Sequence, residues 1–293
     1  VRRIRQKKPG RTAREPILGE MEMQQERKQR IVVKVGTSTL THASGAPNLR
    51  SIEHLVRAIS DVSGAGYEVI LVSSGAIAVG SAKLGLAEKP KELRFKQAAA
   101  AVGQCRLMHV YDQLFSEYNQ SVAQILLTDE DVADAQRAAH LRATFSALLE
   151  MGVIPVVNEN DSVSSAEIET GQHKVLGDND TLSAIVASLC EANLLILFSD
   201  IDGLYEADPR THPQAKLLPV VTELTDEILE MAGGAGTWRG TGGMATKLSA
   251  ARVAMAAGCD MVITNGARPE ELFDIVEGRR IGTRFLAKKG ETV

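Results

Sequence analysis

From position 30 onward, short apolar runs alternate with stretches in which apolar residues recur every three or four positions. The run at 31–35 (IVVKV) is rich in β-branched residues and predicts a buried strand. Ile52, Leu55, Val56, Ile59 and Val62 then share one helical face, which ends at Gly64-Ala65-Gly66. A second buried strand is predicted at 67–72 (YEVILV), with others at 122–127, 153–157, 194–198 and 261–264. An Ala- and Leu-rich helical stretch covers 91–118, with a break expected near Gly103, and further helical stretches lie at about 134–150, 180–191 and 243–257. Such alternation predicts an α/β protein with a mostly parallel sheet and helices on both faces. Ligands of such folds sit at the carboxyl ends of the strands. No internal repeat or Pro/Ser-rich linker interrupts the pattern, so one domain over 30–287 with a tail at 288–293 is the simplest parse.

Composition narrows the class. The chain of 293 residues is 44% hydrophobic and 24% charged, with a net charge of −4. Its longest apolar runs, such as LLILF at 194–198, fall far short of the ~20 residues needed to cross a bilayer. A soluble, cytoplasmic protein is expected, with no membrane partner. Cys105, Cys190 and Cys259 are far apart and form no CxxC, and the six histidines show no metal-ligand spacing. Charge is uneven: residues 1–30 carry ten Lys/Arg against four Asp/Glu, leaving the remainder at −10. Residues 1–29 are expected to be a basic, disordered extension, with a targeting peptide or a nucleic-acid arm as alternatives. The acidic body argues against nucleic acid as the main partner.

Five strand-end segments could carry chemistry. Lys34 lies inside an apolar strand and is followed by Gly36, Thr37 and Ser38, a placement that suits an anion such as phosphate. Ser73-Ser74-Gly75-Ala76 closes the second strand with small residues, leaving room for a ligand or simply making a tight turn. Asn158-Glu159-Asn160-Asp161 and Gly177-Asp178-Asn179-Asp180 read equally as turn and cap residues or as groups that hold an ammonium and position lysines; Asp180 could itself be a helix cap. Gly233–Gly236 leads on to Gly240–Lys247, a glycine-rich stretch ending in a lysine, with neither Walker A nor GxGxxG spacing. Asp200-Ile201-Asp202-Gly203 fails the EF-hand spacing. Two separated lysines, glycine turns and Asn/Asp clusters, with no histidine base or thiol nucleophile, fit phosphoryl transfer, where catalysis is mostly positioning and charge neutralisation.

KVGTS at 34–38, SSGAIAVG at 73–80, NENDSV at 158–163, GDND at 177–180, SDIDGLYEADPR at 199–210 and GTGGMATK at 240–247 together resemble the glutamate 5-kinase branch of the amino acid kinase family. The resemblance implies a three-layer α/β/α sandwich. It also implies phosphorylation of the γ-carboxylate of L-glutamate by ATP with Mg²⁺, the first step of proline biosynthesis. Carried over by motif, Lys34 and Lys247 would meet the phosphates and Asp180 would hold the lysines. Ser74, Asp161 and Asn179 would bind glutamate, Asp161 being matched to its ammonium. Ser199, Asp200, Thr241, Gly242, Gly243, Met244, Ala245, Thr246 and Lys247 would bind the nucleotide. Feedback inhibition by proline and a homo-oligomer are implied as well. The C-terminal PUA domain of many bacterial members is not expected here, and the basic N-terminal segment lies outside the family pattern. Other amino acid kinases, differing in the acceptor pocket, are the nearest rival reading. An amino-acid sensor without catalysis is the rival from another class.

Overall fold

The computed structural model describes residues 28–163, 178–231 and 243–288. The expected N-terminal extension, apart from its last two residues, and all of the tail except Lys288 lie outside the described residues. Strand β1 (Arg30–Val35) is followed by a short helix α1 (Thr37–Leu40) and by α2 (Leu49–Gly64). Then come β2 (Glu68–Val72), α3 (Ala76–Lys83), α4 (Leu93–Ser116), β3 (Ser121–Leu127), α5 (Asp129–Ala133), α6 (Ala135–Glu150) and β4 (Val153–Glu159). The remainder contributes α7 (Asn179–Leu189), β5 (Leu194–Ser199), β6 (Val220–Val221), α8 (Asp226–Met231), α9 (Met244–Ala256), β7 (Asp260–Asn265), α10 (Leu272–Val276) and β8 (Thr283–Phe285).

The sheet runs β3-β4-β2-β1-β5-β7-β8-β6. Its first six strands are mutually parallel; β8 pairs antiparallel with β7 and parallel with β6. Strand alternation sorts the core into two layers. Val33, Val35, Leu71, Ile196 and Phe198 pack with Leu55 and Ile59 of α2 and Leu107 of α4. Val32, Ile70, Val72, Leu195 and Leu197 pack with Leu182 and Val186 of α7 and Leu248 of α9. Helices thus cover both faces, and all six residues of β5 are buried, as its unbroken apolar run requires. Burying each such aliphatic side chain stabilises the fold by about 1.5–3 kcal/mol.

The break expected near Gly103 does not occur: α4 is continuous from Leu93 to Ser116. Gly103 serves packing instead. A Cβ there would lie 1.8 Å from the Ala76 carbonyl oxygen, and one on Gly80 would lie 1.7 Å from that of Ala99. The two glycines let α3 and α4 approach backbone to backbone, which outweighs the ~1 kcal/mol of lost helix propensity. At the sheet edge, the Thr283 hydroxyl accepts from Leu204 N–H at 2.8 Å and donates to the Leu218 carbonyl at 2.6 Å. That pins the loop after β5 to the short strand β8.

Candidate active site

Lys34 has the same strand parity as Val32, so its side chain emerges on the α7/α9 side of β1. There it meets Asp180 in the first turn of α7, with Lys34 Nζ 2.6 Å from Asp180 Oδ1. Lys247, in the first turns of α9, places its Nζ 3.1 Å from Asp180 Oδ2. The Thr246 hydroxyl donates to the same oxygen at 2.9 Å and also to the Gly243 carbonyl. Lys34 and Lys247 are each 8% exposed and Asp180 is 5% exposed. Burial works to raise the Asp180 carboxyl, but the two ammonium groups outweigh it and hold the group below the ordinary carboxylate range.

Asp180 does not cap its helix. Asp178 does so, its Oδ1 accepting from Asp180 N–H at 2.8 Å and Thr181 N–H at 2.9 Å. The cap frees the Asp180 carboxylate to face the lysines. Ser74 follows β2 and leads into α3 through Gly75, whose φ of +93° is one that glycine adopts without strain. Asn179 donates to Ser74 Oγ at 2.7 Å, which joins the α7 start to the β2 end.

These groups line one cavity of about 540 Å³ at the carboxyl ends of β1, β2 and β4. Lys34, Ser74, Asp161, Asn179, Asp180, Gly243, Thr246 and Lys247 all reach its wall, so the expected catalytic and acceptor-binding residues converge there. Lys89 and Lys96, from the loop before α4 and its first turns, also line it, as do Glu159 and Asp178. Glu159 and Asp178 fall within two of the marked strand-end segments, whereas no motif marked Lys89 and Lys96, because lysines near helix starts are common surface features. Among the described lining residues lysines and acids are equal in number, four of each, a mixture suited to ligands that bear both signs.

Of the other six expected nucleotide residues, the four that are described do not line this cavity. Thr241 and Gly242 lie outside the described residues. Met244 opens α9 and packs against the core below it, and Ala245 follows in the same turn. Ser199 ends β5, its hydroxyl donating to Asp200 Oδ1 at 3.1 Å, and Asp200 is exposed. A Cβ on neighbouring Gly266 would lie 2.7 Å from Thr39 Oγ1 and 3.4 Å from the Ser199 carbonyl oxygen. The β5 end is therefore packed beside the turn that follows Lys34. Further along, Asp202 Oδ1 accepts from Asn265 Nδ2 and from an Arg268 Nη2, each at 2.9 Å, and Arg268 Nε lies 3.2 Å from Glu271 Oε1.

No cluster of three or more His, Cys, Asp or Glu among the described residues could hold a metal ion. No helix among the described residues is long and apolar enough to cross a membrane.

The sequence profile of the amino acid kinase family matches residues 29–265. A curated relative from Clostridium perfringens, named glutamate 5-kinase, is 56% identical over 263 residues, covering 90% of this chain and 97% of that protein. Another glutamate 5-kinase, from Caldanaerobacter subterraneus, is 54% identical over 260 residues, covering 89% of this chain and 68% of that one. In fold, the carbamate kinase from Giardia lamblia bound to AMP-PNP superposes with a TM-score of 0.60 at 16% identity, over 89% of this chain and 99% of that chain. With a family profile spanning the sheet and relatives above half identity over nine-tenths of its length, this chain belongs to the amino acid kinase family, alongside the glutamate 5-kinases.

Proposed function

We propose that the chain transfers the γ-phosphoryl group of ATP to the γ-carboxylate of L-glutamate, giving γ-glutamyl phosphate and ADP, the first step of proline biosynthesis. The observation that carries this reading is the pair of buried lysines, Lys34 and Lys247, held on the two oxygens of Asp180 in a cavity at the strand ends. A carboxylate oxygen of the acceptor attacks the γ-phosphorus as the bond from that phosphorus to the bridging oxygen of ADP breaks. The acceptor is already ionised at pH 7, its reference pKa being about 4.3, so no general base is needed. The obstacle is repulsion between two anions. Lys34 and Lys247 offset it, and Asp180 keeps both ammonium groups in place before substrate arrives. A Mg²⁺ ion bound to the phosphates would supply further charge neutralisation.

On the acceptor side, Ser74 and Asn179 offer hydrogen bonds and Asp161 a counter-charge for the ammonium group of glutamate. Ser199, Asp200 and the segment 241–247 would hold the nucleotide. Inhibition by L-proline in the acceptor pocket, assembly into a homo-oligomer and a cytoplasmic location belong to the same proposal.

The test is ADP release with Mg·ATP against glutamate, aspartate, N-acetylglutamate, carbamate and UMP, with hydroxylamine to trap any acyl phosphate. Turnover and hydroxamate with glutamate alone are expected. Preference for another acceptor would move the chain to a different amino acid kinase activity, and binding of ATP or glutamate with no turnover would favour a sensor.

A further inference from the structure

Behind the cavity wall, a line of buried side chains runs from helix α4 to the acceptor side. Gln104 Oε1 accepts from Asn158 Nδ2 at 2.9 Å. Asn158 Oδ1 accepts from Glu159 N–H at 2.9 Å and from Asn179 Nδ2 at 3.3 Å. Asn179 Nδ2 also donates to the Ser73 carbonyl at 3.2 Å and to Ser74 Oγ at 2.7 Å. Gln104 is buried in α4 and is not part of the cavity lining, whereas Asn158, Asn179 and Ser74 are.

Two backbone groups decide which end of each amide points where. Glu159 N–H can only donate, so the Asn158 atom facing it is the oxygen, which turns the nitrogen toward Gln104. The Ser73 carbonyl can only accept, so the Asn179 atom facing it is the nitrogen. Ser74 Oγ already accepts from Asn179, which leaves the hydroxyl proton to donate to a ligand. The Asn179 carbonyl oxygen is the end left to accept from one. A wall that offers one donor and one acceptor at fixed places matches a ligand with a carboxylate and an ammonium group.

We infer that Gln104 is a positioning residue: by accepting from Asn158 it holds the Asn158–Asn179–Ser74 wall in the one hydrogen-bond polarity that receives a zwitterionic amino acid. The inference rests on the proposed reading of the cavity as a glutamate site, and extends it to a residue that never touches substrate. Without the acceptor at position 104, the buried Asn158 amide loses its partner and turns toward others, and Asn179 loses its fixed neighbour. The side-chain bonds of Lys34, Lys247 and Asp180 run to one another, to Thr246 and to the Gly243 carbonyl rather than to the side chains of this line, so the loss is expected on the acceptor side.

The experiment compares Gln104→Leu, Gln104→Met and Gln104→Glu with wild type, with KM measured separately for glutamate and ATP and folding checked by thermal melting. Gln104→Leu is expected to raise the glutamate KM about tenfold, the scale of one unmet buried hydrogen bond, with the ATP KM within about twofold. Gln104→Glu keeps an oxygen acceptor in place and is expected to recover most of that loss. Gln104→Met, more flexible but also without an acceptor, gives the same comparison should the leucine variant not fold. An unchanged glutamate KM, an equal rise in both KM values, or a glutamate variant as impaired as the leucine one would overturn the inference. A wild-type protein inert toward glutamate would overturn the parent reading and the inference together. Normal wild-type turnover beside an unaffected Gln104→Leu would overturn the inference alone.

Discussion

Two charge clusters lie at the carboxyl ends of the same sheet, and they are built in opposite senses. At β1 and α7, one carboxylate, Asp180, holds two cations, Lys34 and Lys247, and all three are buried. Beyond β5 and β7, one cation, Arg268, lies between two carboxylates, Asp202 and Glu271, and the Arg268–Asp202 pair is nearly half exposed. The pKa directions follow the composition. Asp180 is held down by its two lysines against the pull of burial, whereas burial raises Glu271 and neighbouring acids add to the rise against Arg268. A buried cluster with surplus positive charge costs free energy to desolvate and makes sense as a receptor for an anion. The other cluster carries surplus negative charge, leaves the buried Glu271 Oε2 without a hydrogen bond, and ties the loop after β5 to the end of β7.

If that contrast is right, the largest losses come from the first cluster. Lys34→Ala or Lys247→Ala is expected to lower kcat at least ~100-fold, the scale of removing one preorganised charge stabiliser, as read by steady-state ADP release. Activity within a fewfold of wild type in both variants would sink the assignment. Asp180→Asn leaves two buried ammonium groups without a counter-charge, so stability near pH 7 should fall by about 3 kcal/mol in denaturant titration.

The pH dependence of that loss has a definite sign. The folded pKa of Asp180 is depressed, so its contribution is present above the unfolded value of about 3.9 and disappears as pH falls through the lower folded value. The gap between wild type and Asp180→Asn should therefore be widest at neutral pH and close in acid. Glu271 predicts the reverse sign. Its raised pKa makes the charged form unfavourable in the fold, so Glu271→Gln should match or exceed wild-type stability at pH 7. That advantage should shrink as acid protonates the native glutamate. The smallest effect is expected from Asp202→Asn, less than ~1 kcal/mol and weaker still in high salt, because its ion pair is solvent-screened.

Legibility in the sequence followed burial. Strands β1, β2 and β5 are covered on both faces and show as unbroken apolar runs, and a lysine within the first of them stands out for the same reason. Strands β6 and β8 have two and three residues, too few for any period to show. Gly103 reads locally as a helix breaker; only the Ala76 carbonyl pressed against it explains why a glycine stands inside a continuous helix. In Asp178-Asn179-Asp180 three consecutive residues could each cap, and the chain alone does not distinguish the one that does from the one that meets the lysines. Gln104 was hidden for another reason: in an alanine-rich helix a lone glutamine carries no spacing signal, and its partner lies 54 positions away.

Helix α4 gathers several of these features onto one rod. Its first turns bring Lys96 to the cavity lining, and two turns later Gln104 braces the Asn158 wall, about 12 Å along the axis at 1.5 Å per residue. Between them, Ala99 and Gly103 are keyed into α3 too closely to slide. Lys96 and Gln104 are therefore carried on one helix packed tightly against α3, so a displacement of either would have to move the other with it.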